Sequence, residues 1–162
     1  MILVMESVVL CLAFTLMVYL MSREPIKTLY NYPPNIQERV KSLDEYKGQI
    51  PTQKNKLAAK LFACVLFVIV LALILRYVNG YKTFKEAFIY GFILWTVVNT
   101  YDALVLDIIW FCHDPHFILK GTEDMTADYH DYWFHIKGSL IGEGIALAVC
   151  TLAALVVQFI LK

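Results

Sequence analysis

The chain has 162 residues, of which 59% are hydrophobic, with 14 basic against 14 acidic side chains and a formal net charge of zero. A mean hydropathy of +0.60 and an apolar share above the roughly 45–50% of a soluble domain point to a membrane protein. The charge balance gives no basic surface for nucleic acid, and four cysteines without a CxxC spacing argue against a disulfide framework or a thiolate zinc site.

Four apolar runs predict an all-α membrane protein with transmembrane helices over 2–21, 57–78, 84–112 and 139–161, in a single transmembrane domain. About 20 helical residues cross a hydrocarbon core of about 30 Å, and open strands cannot satisfy their backbones in lipid. The first run lacks a basic leader, carries Glu6 and is followed by SREP, so it reads as a retained helix rather than a signal peptide. Glu6 is expected near the outer face within reach of water, and it is set aside.

The connection 22–56 carries Arg23, Lys27, Arg39, Lys41, Lys47, Lys54 and Lys56, against Arg76, Lys82 and Lys85 around the next turn. Basic loops stay cytoplasmic, which predicts both termini outside and loops 22–56 and 113–138 inside. Within the first loop, Pro33 and Pro34 break any earlier helix and Asn35 is an N-cap candidate. Ile36, Val40 and Leu43 then recur at i, i+4 and i+7, predicting a short amphipathic helix lying on the membrane surface. Gly48–Lys56 reads as a polar linker.

Helix 3 carries Asn99, Asp102 and Asp107, and helix 4 carries Glu143. At about 100° per residue, Asp102 lies about 60° to one side of Asn99 and Asp107 about 80° to the other. An ionised carboxylate in hydrocarbon costs at least about 2.5–3.5 kcal/mol, so this broad face should turn inward. Asp107 is expected at headgroup depth, Asp102 about 7.5 Å deeper, and Glu143 at a comparable cytoplasmic level. Asn99, Asp102, Asp107 and Glu143 are therefore the candidate residues for binding an ion or a small polar solute.

All four histidines fall in WFCHDPHFILKGTEDMTADYHDYWFH. His113, His116, His130 and His135, beside several carboxylates, are candidate ligands for a divalent transition metal, since imidazole and carboxylate suit zinc, iron or manganese. Their spacings match no HExxH or repeated ExxH pattern. The competing reading is a solvated interfacial belt, with Tyr129, Tyr132, Trp133 and Phe134 at headgroup level. On helix 4, Gly138, Gly142, Ala146, Cys150 and Ala154 form a small-residue stripe at every fourth position. Such a stripe serves either a homo-oligomer seam or close packing inside the chain, and the second is favoured.

The segments LYNYPPNIQERVKSL, NTYDALVLDIIWFCHDP and KGTEDMTADYHDYWFHIKGSLIG together resemble a group of small bacterial multi-pass, four-helix membrane proteins with no assigned activity. The resemblance covers about two thirds of the chain and implies a bacterial cytoplasmic-membrane location. It assigns no role to any residue. Three functions stay open on sequence grounds, with membrane lipid as the surrounding partner in each. The first is binding or transport of a small polar solute, proton or metal ion through the acidic residues. The second is an embedded enzyme acting on a lipid or isoprenoid, with Arg39 or Lys41 holding a phosphate. The third is a non-catalytic accessory subunit of a membrane complex.

Overall fold

The computed structural model describes residues 2–161, and the described residues contain helices and no strand. The order is α1 (Ile2–Ser22), a 3-10 stretch Pro25–Asn31, α2 (Pro34–Ser42), a 3-10 turn Asp44–Tyr46, and α3 (Gln53–Leu73). A π-helical turn, Ile74–Val78, ends α3. After a short turn come α4 (Phe84–Tyr101), its π-helical continuation Asp102–Phe111, a 3-10 turn Pro115–Phe117, α5 (Thr126–Tyr129) and α6 (Tyr132–Phe159). Four helices are long and apolar enough to cross a membrane, within Ile2–Ser22, Lys60–Val78, Phe84–Phe111 and Thr126–Phe159. The last helix begins at Tyr132 rather than Ser139.

Two compact units divide the chain: Met1–Ser7 with Gln53–Asn99 and Leu140–Lys162, and Val8–Thr52 with Thr100–Ser139. In the first unit, Leu71, Ala72, Leu75, Ala87, Leu94, Val149, Ala153 and Val157 are buried. A Cβ on Gly91 would lie 3.3 Å from Leu75 Cδ1, so glycine there lets α4 close on α3. Thr83 caps the start of α4: its hydroxyl accepts from the Glu86 amide at 3.4 Å and donates to Glu86 Oε2 at 2.7 Å. The Phe84 amide, an orphan of that first turn, donates to Gln158 Oε1 on α6 at 2.8 Å.

The small-residue stripe is also used here. Ala146, Cys150 and Ala154 are 0% exposed, and a Cβ on Gly142 would fall 2.7 Å from Asn99 Oδ1. Ala146, Cys150 and Ala154 thus pack inside the chain, whereas Gly138 at the start of the stripe is exposed. Close approach needs the small side chains because nothing larger than a methyl or thiol fits.

The second unit holds a folded cap built from the two segments read as cytoplasmic loops. Leu29, Tyr32, Ile36, Val40 and Tyr46 from the first segment close on Phe117, Leu119 and Tyr129 from the second, and on Phe111 and Cys112 at the end of the preceding helical run, in one apolar core. Ile36 and Val40 are 0% exposed. The apolar face of α2, expected against lipid, is instead turned into this core. Tyr32 meets Phe111 edge-on at 4.9 Å between ring centres, and its hydroxyl donates to the Phe117 carbonyl at 3.0 Å. Asn35 does not cap α2. Pro34 opens the helix with its fixed φ, and the Asn35 amide donates to Asp128 Oδ1 at 2.6 Å. Arg39 pairs with Asp124 at 3.3 Å and Lys120 with Glu45 at 2.9 Å. The polar rim and apolar centre therefore join the same two segments.

Candidate functional site

The π-helical stretch Asp102–Phe111 sets the geometry of the acidic residues. In an α-helix, residues five apart stand about 140° from one another. In i→i+5 geometry the helix widens so that the residue five on returns close beneath the first. Asp102 and Asp107, expected on opposite sides of Asn99, are thereby brought toward one face. The widened bonding persists to the end of the helix, where the Cys112 amide donates to the Asp107 carbonyl at 3.0 Å.

Asp107 finds its partner on α6: its Oδ2 lies 3.1 Å from Nδ1 of His135. His135 is 4% exposed, with its ring beside Phe111 and Phe134 at 5.1 and 5.2 Å between centres. A carboxylate oxygen accepts, so the Nδ1 of His135 carries the proton in this pair. Its other nitrogen, Nε2, is buried without a hydrogen-bond partner. Asp102 lies near both Asp107 and His135. A dyad with a neighbouring carboxyl and one unanswered nitrogen results.

Glu143 is bonded within the first unit. Asn99 donates to its Oε1 at 2.7 Å and Thr96 to its Oε2 at 3.1 Å. Both carboxylate oxygens thus meet donors on α4, which makes Asn99–Glu143 a clasp between α4 and α6. Glu6, set aside on sequence grounds, is likewise fully engaged. It accepts from Asn79 at 2.9 Å and from Tyr90 at 2.7 Å, tying α1 to the turn before α4. An acid in an apolar run was the available signal, and its partners lie in the short turn and on α4.

The histidines do not gather as four ligands. His116 reaches the Ser22 carbonyl through Nε2 at 3.1 Å, and His135 is held by Asp107. His113 and His130 stand together, edge to face at 5.0 Å between ring centres, on the wall of a cleft of about 230 Å³ that Asp114 and Glu123 also line. Among the described residues, no three His, Cys, Asp or Glu side chains converge as a ligand set for a metal ion. The turns after α4 separate the rings: Pro115 starts a 3-10 turn that carries His116 away from His113. Asp114 fixes that turn by accepting from the His116 amide and the Trp110 indole, each at 2.8 Å. Those two donors, the amide first, hold its carboxyl below the usual range. Compared with protein-family models, curated proteins and solved structures, the chain matches none of them.

Proposed function

We propose that the chain is a multi-pass protein of a bacterial cytoplasmic membrane, with both termini outside, that binds protons at Asp102, Asp107 and His135 near the inner face and passes them across. The buried Nε2 of His135 carries this reading. An imidazole nitrogen shut away from water without a partner costs about 1–3 kcal/mol. A proton, a water or a polar group of a solute arriving at that atom removes the cost, and the Asp107 carboxylate stabilises the imidazolium that a proton would create. Asp102 extends the acidic group one turn deeper along the widened helix. An ionisable group at such depth supports a proton or solute site, because a purely structural contact would be cheaper with apolar side chains. Glu143 is read as structural, since both its oxygens already have donors. The basic segment 22–56 supports the orientation, and the sequence resemblance supports the bacterial membrane.

The test is proton flux in vesicles containing the full chain and a trapped pH dye. Wild-type vesicles should collapse an imposed pH gradient faster than protein-free vesicles. D107N keeps an oxygen that can accept from His135 but removes the charge, and H135Q removes the imidazole. Both should fall to near the protein-free rate. Equal rates in wild type, D107N and H135Q would overturn the reading.

A further inference from the structure

His113 and His130 stand side by side, and the same ring nitrogen of each is bonded to a backbone carbonyl. Nδ1 of His113 lies 2.9 Å from the Ile108 carbonyl oxygen, and Nδ1 of His130 lies 2.7 Å from the Thr126 carbonyl oxygen. A carbonyl only accepts, so in both rings the proton sits on Nδ1 and Nε2 is left with its lone pair. This is how metal-ligating histidines are oriented: the second nitrogen donates to a backbone carbonyl or carboxylate, which fixes the tautomer and raises the basicity of the first. Two neighbouring imidazoles prepared in the same way, one exposed and one half-buried, are more than a solvated belt requires.

The distance fits as well. A bond of about 2.0–2.1 Å plus about 1.1 Å from Nε2 to the ring centre puts each centre about 3.2 Å from a shared ion. Centres 5.0 Å apart then subtend roughly 100° at that ion, near the tetrahedral angle. From the edge-to-face arrangement, metal binding requires each ring to turn about χ2, a torsion that is broad for histidine. Tyr132 stacks on His113 with its hydroxyl 3.4 Å from Nε2, in place to offer a third oxygen. The carboxylates of Asp114 and Glu123 on the cleft wall supply negative charge, and water can fill the remaining positions.

We propose that His113 and His130 form a divalent transition-metal site, of the kind imidazole favours (zinc, copper or nickel), at the mouth of this cleft. The site is independent of the Asp107–His135 pair. Because His113 follows α4 and His130 precedes α6, a bound ion would tie the exit of one helix to the entry of the other.

Zinc binding to the purified full chain in nanodiscs, read by equilibrium dialysis with elemental analysis, tests it. Wild type should bind one equivalent. H113Q and H130Q should each weaken binding about tenfold or more, the scale expected when a ligand shell is broken. H116Q and H135Q should leave it unchanged. Cobalt substituted for zinc should give the visible absorption of a four-coordinate ion in wild type and lose it in H113Q. Circular dichroism of each variant confirms that it is folded. Absence of stoichiometric zinc in wild type, or zinc binding indifferent to both H113Q and H130Q, would overturn the proposal.

Discussion

Thr122 and Tyr129 show how single side chains hold the cap closed. Thr122 is wholly buried, donates to the Leu119 carbonyl at 2.6 Å, and shares a hydrogen bond of 2.7 Å with the Tyr129 hydroxyl. That hydroxyl also accepts from the Leu119 amide at 2.9 Å. Tyr129 is thus the partner of a buried backbone N–H that no helix serves. Tyr129→Phe leaves this amide unanswered and should destabilise the protein by about 1–3 kcal/mol, and Thr122→Val should cost about the same, since a buried polar group left without its partner carries the desolvation penalty. The double variant should cost less than the sum, because the two groups share one network. Thermal unfolding of the four proteins in nanodiscs measures this, and full additivity would show that the groups act independently. None of this was legible in the sequence, where Tyr129 reads as an interfacial aromatic. The same holds for the histidines: their types and density are visible in the string, but which nitrogen meets a carbonyl depends on turns set by Asp114 and Pro115.

At the scale of elements, the four long helices were legible because length and apolarity alone decide them. The face a helix presents was not. The phase of Asp102 and Asp107 was counted at the α-helical period, and the π-helical stretch from Asp102 to Phe111 changes that period where the acids lie. No residue type in DALVLDIIWF announces the change. The small-residue stripe was legible as a packing surface, and its Ala146, Cys150 and Ala154 are buried inside the chain. Gly142 and Gly144 separate the two meanings of a glycine on α6. A Cβ at Gly142 would meet Asn99, which Glu143 holds in place, whereas a Cβ at Gly144 meets nothing within 4 Å. Gly142→Ala should therefore destabilise by about 1–3 kcal/mol through overpacking. Gly144→Ala should be neutral or stabilise by up to about 1 kcal/mol, the ordinary helix-propensity gain. Chemical unfolding in mixed micelles reads both, and equal effects would mean that the Asn99–Glu143 clasp yields freely.

For the molecule as a whole, the cap is the largest departure from what the sequence suggested. A surface helix and a polar linker were expected, yet segments about ninety positions apart in the chain interlock through Tyr32, Ile36, Val40, Phe117 and Tyr129. Amphipathic periodicity says that a face must be covered but not by what, and pairing at that separation leaves no local trace. The cap also bears on orientation, because it gathers Arg39 and Lys120 into ion pairs with Asp124 and Glu45. Paired or not, these cations resist translocation, as the positive-inside tendency counts lysines and arginines rather than net charge. Single cysteines introduced at Gln49 in the cap and at Lys82 in the turn before α4, both exposed, place the two ends directly. The four native cysteines would be alanine in that background. A membrane-impermeant maleimide applied to intact cells should label Lys82→Cys at once and Gln49→Cys only after permeabilisation. The reverse pattern would put the cap outside, and the Asp107–His135 pair, proposed above to bind protons, would then lie toward the other face.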